Sequence, residues 1–409
     1  MIPELRFPEF VNEGEWEEKE LRNLGQFFGG GTPERSNSDY WIGNIPWISS
    51  SDVAEDDIHN ISITRFINEN AIKESATKII PKGSVLFVSR VGVGKLAINK
   101  EEVCTSQDFT SFIPNKNVLN LFIGYYFSSN KSLLQSLNQG TSIKGFSKSD
   151  LECFKLPYPT KPAEQQKIAS CLSSLDEVIA AHSQKLELLK DHKKGLMQNL
   201  FPQESEKVPK FRFPEFRNNG EWVEKKLGAI GEPLMCKRIF KEQTTSNPKD
   251  GIPFYKIGTF GRTADSYIPQ ELYNDFKSKY SFPNNGDILI SAAGTIGRLV
   301  VYDGSPAYFQ DSNIVWLDND EQIILNCFLF HCYTILKWQT SDGGIISRLY
   351  NSDLKNMSIK YPKEKKEQQK IASCLSSLDA LIAAQTEKIE QLKLHKKGLM
   401  QGLFPKIND

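Results

Sequence analysis

Residues 164–202 read EQQKIASCLSSLDEVIAAHSQKLELLKDHKKGLMQNLFP, and residues 367–405 read EQQKIASCLSSLDALIAAQTEKIEQLKLHKKGLMQGLFP. Thirty of the 39 positions are identical, at a constant offset of 203. Such self-similarity is the mark of a repeat architecture. A second anchor lies upstream of each copy: PELRFPEF with EGEW from Pro3, and PKFRFPEF with NGEW from Pro209, at an offset of 206. The whole chain is therefore a tandem duplication. Between the anchors only scattered matches survive, such as Gly94/Gly297, Gln107/Gln310 and Asp108/Asp311. Near-identical segments beside divergent ones imply two jobs: one part must match itself, and the other is free to vary.

The repeated segment predicts a long helix. Ile168, Leu172, Leu175, Ile179, Leu186, Leu189, Leu196 and Leu200 follow a 4,3 spacing once His182 and Lys193 fill the gaps. In the second copy the same positions are Ile371, Leu375, Leu378, Ile382, Ile389, Leu392, Leu399 and Leu403, with Gln385 and Lys396 between them. A sustained heptad predicts a left-handed coiled coil, in which a polar core position costs stability but fixes register. His182 and Lys193 read as partly wetted layers of the helix pair.

Each helix is roughly 55 Å long at about 1.5 Å per residue. A parallel pair would need a linker of that span, and QESEKVPK (203–210) is too short, so an antiparallel pair is expected. The C-terminal LFPKIND followed by the N-terminal MIPELRFPEF would imitate the internal LFPQESEKVPKFRFPEF. The termini should thus meet, closing a circular object with pseudo-twofold symmetry.

A chain of 409 residues is too long for one ordinary domain. We expect a globular domain over 1–161, the first long helix over 162–202, a linker and second globular domain over 203–362, and the second long helix over 363–409. Strand-like runs at 45–48, 84–89, 252–257 and 287–291, with helical stretches near 118–138 and 321–340, make each globular part mixed α/β and the chain α+β. Formal charge is zero, with 50 basic and 50 acidic residues. Residues 1–162 carry 17 basic and 20 acidic groups, and residues 208–362 carry 18 and 17. Binding to a nucleic-acid backbone draws on phosphate neutralisation, so any such face must be local or shared with a basic partner.

The seven cysteines form no CxxC pair. Cys327, His331 and Cys332 sit close together, but in an apolar run where core packing is the simpler reading. The acidic, Pro-broken start is no signal peptide, and the apolar stretch 323–338 is too short and interrupted to span a bilayer. These features lead us to expect a soluble, cytoplasmic protein with no membrane partner.

The run GGGTPERSNSDYWIGNIPWISSSD, from Gly29 to Asp52, resembles the opening of a target-recognition domain in the specificity subunits of Type I restriction–modification systems. Both domain endings share the resemblance: GTSIKGFSKSDLECFKLPYP and GGIISRLYNSDLKNMSIKYP, each leading into EQQKIASCLSSLD. The second opening, MCKRIFKEQTTSNPKDGIPFYKIGTF, departs from it, lacking GGTP and placing Phe254 where Trp47 stands. The resemblance implies a non-catalytic DNA-recognition subunit. Each domain would read one half of an asymmetric bipartite duplex target. The helices would set the spacer and dock two methyltransferase subunits, with restriction and translocase subunits completing the complex. No cofactor is implied for this chain; S-adenosylmethionine, ATP and magnesium would belong to the partners.

Candidate DNA contacts are polar and aromatic residues in turns, where side chains can reach base edges or phosphates. In the first domain they are Trp47, Ser49, Ser50, Arg90, Lys95, Gln107, Lys144 and Lys148. In the second they are Tyr255, Lys256, Arg262, Arg298, Gln310, Asn313, Arg348 and Tyr350. The plain alternative for each is a solvated group beside a turn, and for Trp47 a core position. Gly94-Lys95 is not a phosphate-binding loop, since Ser89 and Leu96 stand where that motif needs Gly and Ser or Thr. A rival from another class is a duplicated coiled-coil scaffold whose end domains bind protein or glycan. Its binding would ignore salt, whereas DNA reading weakens steeply with it.

Overall fold

The computed structural model describes residues 1–137, 145–338 and 348–406. It divides into two compact units, residues 1–184 with 386–409, and residues 185–385. The long helices Pro162–Leu200 and Lys365–Leu403 have 39 residues each. Each unit holds the start of one and the end of the other.

In the first unit Ile168 and Leu172 share a core with Met400 and Leu403, and Lys396 donates to Asp176 at 2.5 Å. In the second, Ile371 and Leu375 share a core with Leu200, and Lys193 donates to Asp379 at 2.5 Å. Start meets end both times, so the pair runs antiparallel. Lys193 and Lys396 are matching positions of the repeat, as are Asp176 and Asp379; one ion pair is made twice. Lys193 is therefore a paired layer rather than merely a wetted one. The other heptad positions from Leu175 to Leu196 and from Leu378 to Leu399, His182 among them, are half-buried or buried, as expected of a seam between two helices.

The globular part of the first unit has two four-stranded sheets. One is antiparallel in the order Gly25–Gly29, Phe109–Pro114, Val85–Val88, Leu96–Ile98. The other, Arg65–Ile67, Ile45–Ile48, Val103–Thr105, Ile79–Ile80, has a parallel pair at its centre. The second unit repeats the plan with Glu232–Leu234, Ile314–Asp318, Ile288–Ser291, Leu299–Val301 and a three-stranded Tyr267–Ile268, Ile252–Tyr255, Tyr308–Phe309. The stretch expected to be one helix over 118–138 is two, Asn120–Ser129 and Lys131–Ser136, broken where Asn130 leaves helical geometry at ψ 46°. That expected over 321–340 shrinks to Asn326–Ile335: Glu321 is left-handed, at φ 58°, and Leu336 is extended. Residues 138 and 339–340 lie outside the described residues.

The repeated anchors grip each other. Arg6 donates to both carboxylate oxygens of Glu164 at 2.7 and 2.9 Å, and Arg212 to those of Glu367 at 2.7 and 2.8 Å. These carboxylates are 3% and 1% exposed. Gln165 accepts from the Leu119 amide at 3.1 Å, and Gln368 from that of Leu325 at 2.8 Å, each satisfying a donor at the start of a globular helix. The Leu5 amide reaches the Gly402 carbonyl at 2.8 Å, the counterpart of Phe211 to Asn199 at 2.9 Å. In the first unit the two ends of the chain thus lie side by side.

One anchor differs. Asp176 also accepts from Tyr125 at 2.7 Å and faces His59 at 3.2 Å. Burial pushes its carboxyl up, but the bonds from His59, Lys396 and Tyr125 outweigh this and hold it below the usual carboxylate range. At the Tyr125 position of the matching helix the second unit has His331. There a buried His331 faces Ser376 at 3.2 Å, and its burial lowers its pKa to about 4.

Candidate nucleic-acid interface

In each unit several strands finish at one edge, and the turns beyond them are stitched into a rim. In the first, Ser106 donates to the Ile48 carbonyl at 2.9 Å, Gly31 to Thr105 at 2.8 Å, Ser89 to Asp108 at 2.7 Å and Phe146 to Ser89 at 3.0 Å. In the second, Gln310 donates to the Tyr255 carbonyl at 2.9 Å, Ala292 to Asn313 at 2.8 Å and Leu349 to Ala292 at 2.8 Å. Backbone bonds recur in both frames, so many side chains on the turns can differ.

The first rim brings together Arg90 and Gln107, both exposed, with a half-buried Lys95. The Thr32 hydroxyl donates to the Gln107 side chain. Lys148 is exposed and paired with Glu152 at 3.4 Å. Lys144 lies outside the described residues. Gly94, at φ 102°, lets the turn beside Arg90 close tightly.

Two expected readers must be corrected to scaffold. Trp47 is fully buried: its Nε1 donates to the Gly31 carbonyl at 3.0 Å, and the Arg65 guanidinium lies 4.8 Å from its ring centre. Gly31 can pass this close only because it lacks a side chain; a Cβ there would lie 2.4 Å from the Ala76–Thr77 backbone. Ser50 is buried as well. Ser49 is half-buried, and its hydroxyl accepts from Arg65 at 2.7 Å within a turn capped by Asp52.

On the second rim Arg262 and Tyr350 are exposed. Tyr255 stacks on Phe309 with ring centres 5.9 Å apart, and Lys256 pairs with Asp265 at 2.9 Å. Arg298 donates to the Phe260 carbonyl at 2.9 Å and Arg348 to that of Ser312 at 2.7 Å. The Gln310 side chain accepts from the Ile257 amide at 2.9 Å, and Asn313 is half-buried beside it. These groups build the rim as much as they present it. Arg35, Lys237, Arg238 and Lys241, all exposed, escaped the sequence reading. They lie in the loop after the first strand of each antiparallel four-stranded sheet, and the only signal for them was that the two openings differ there.

Two mixed α/β heads of one frame, each locked to the start of one long helix and the end of another and each bearing unlike side chains on its rim, define a duplicated recognition subunit. The chain belongs to the family described as Type I restriction modification DNA specificity domain, which matches residues 13–191 and 219–394. The MjaIX specificity subunit of a type I restriction enzyme from Methanocaldococcus jannaschii is 34% identical over 424 residues, covering 96% of this chain and 92% of its own. A type I restriction enzyme specificity subunit from Haemophilus influenzae is 55% identical over 161 residues, 39% of this chain and 41% of that one. The crystal structure of the S subunit from M. genitalium has a TM-score of 0.66 at 17% identity and covers 100% of both chains. At that identity it shows the fold alone. No helix among the described residues is long and apolar enough to cross a membrane.

Proposed function

We propose that this specificity subunit has no catalysis of its own and that each head reads one half of a split, asymmetric duplex target. The long helices act as the ruler between the half-sites and as the dock for two methyltransferase subunits; restriction and translocase subunits complete the assembly. S-adenosylmethionine, ATP and magnesium serve those partners. What carries this reading is the pairing of a repeated rim frame with unlike rim side chains. A duplex presents equivalent grooves about one helical turn apart, and two heads of one build suit them. With formal charge zero, the chain alone should bind DNA weakly until a partner adds basic surface.

The test is a methylome. The chain is expressed with and without its methyltransferase subunit in a host free of adenine methylation, and native DNA is read with modification-sensitive sequencing. A split asymmetric motif that needs both proteins is expected. A soluble complex that leaves no motif would favour the scaffold reading.

A further inference from the structure

The two heads differ in the loop after the first strand of the antiparallel four-stranded sheet. In the first head that loop hugs the sheet through Gly30 and Gly31, where any Cβ would strike the backbone at 105–106 or 76–77. The second head has no glycine run there. Its loop is pinned by Cys236 and Ile239, 2% and 9% exposed, so the two residues between them face outward. The side chain of Arg238 is 61% exposed, yet it is not loose: its Nε donates to Asp311 at 2.8 Å, and Asp311 is only 15% exposed.

Asp311 is itself placed by a strained turn. Ser312 sits at φ 60°, which is uncommon for a residue with a side chain. Its hydroxyl donates to Asp311 at 3.2 Å, and its carbonyl accepts from Arg348 at 2.7 Å. Strain of this sort persists only where surrounding contacts enforce it. Among the described residues the Arg238 side chain makes that single hydrogen bond, so both terminal nitrogens are unengaged. A carboxylate on Nε fixes the guanidinium plane and leaves the two-nitrogen edge free. That edge offers two parallel donors, and in the major groove only guanine offers two acceptors, O6 and N7, to meet them.

We propose that Arg238, positioned by Asp311, reads a guanine in the half-site met by the second head. This assignment rests on the DNA-reading function proposed above. Asp311 is a positioning residue and touches no base.

The test uses the full chain bound to its methyltransferase subunit. Labelled duplexes carry the motif found in the methylome, with each base pair of both half-sites replaced in turn. In the wild type, replacing one G·C pair of the second half-site should weaken binding about 10- to 100-fold. R238A should erase the preference at that one position and leave every other preference intact. R238K should fail there too, because an ammonium cannot bridge two acceptors in a fixed fork. D311A should flatten the same position partially, and D311E should recover part of it, which a merely structural loss would not do. Should R238A lower the melting temperature, R238K, which keeps a cation beside Asp311, decides. Uniform weakening on all duplexes with a shallower salt dependence would make Arg238 a phosphate contact, and unchanged preferences would make it no reader; either overturns the assignment. A wild-type complex with no sequence preference would instead sink the DNA-reading function itself.

Discussion

At the anchors the two halves repeat their main contacts: Arg6 on Glu164 and Arg212 on Glu367, Lys167 on Glu9 and Lys370 on Glu215, Gln165 and Gln368 on the globular helices. At the rims the backbone frame recurs while the side chains do not. Thr32 meets Gln107 in one, and Arg238 meets Asp311 at the corresponding turn of the other. A buried ion pair admits few substitutes, whereas a turn held by its sheet can carry almost any side chain. Sequence identity inside this chain therefore marks gripping surfaces, and divergence marks facing ones.

The largest effect should come from cutting a clamp. R6A or R212A strands a buried carboxylate and should cost its own unit about 3–5 kcal/mol, read as a loss of melting temperature in calorimetry. A loss below about 1 kcal/mol in either would show the clamp to be ornamental.

Next comes the seam, where the halves are alike but not equal. D176A removes the partner of Lys396, Tyr125 and His59 together, and should cost about 3 kcal/mol. D379A strands mainly Lys193, 20% exposed, and should cost about 1 kcal/mol in urea titrations. Equal costs would mean that the extra bonds to Asp176 add nothing.

Acid separates the units further. His331 is lowered by burial to about 4, with Asp379 raising it and Lys193 lowering it. A depressed folded value means the unfolded chain binds the proton more readily, so stability is lost as pH falls from about 6.5 towards 4. The second unit should thus weaken before the first, whose Asp176 titrates below the usual carboxylate range. H331L should remove that early decline in a pH series of melts.

The smallest contrast is between two tryptophans. Trp16 donates to Glu164 at 3.0 Å, whereas the buried Nε1 of Trp222 finds no partner among the described residues. W16F should cost about 1–2 kcal/mol, and W222F should be neutral or slightly stabilising.

The helix pair was legible in the sequence because its signal is local: a heptad repeats every seven residues and needs no distant partner to be seen. The antiparallel sense followed from linker length. The rims were harder, because their chemistry depends on residues far apart in the chain. Trp47 looks like a reader beside a turn until Gly31 and Arg65 close over it. Arg238 looks like ordinary surface charge until Asp311, 73 residues away, takes its Nε. Side chains on a turn become readable only once the fold has said which turns meet.

If the anchors hold and the rims read, each head should do so independently of the other. The direct measurement is the methylome of a chain in which the first head, residues 15–155, is replaced by a second copy of the matching part of the second head. Near-identical anchors should accept the graft, and the methylated motif should become an inverted repeat of the second half-site with the spacer unchanged. A motif that keeps its original first half, or a spacer that shifts with the heads, would contradict the account.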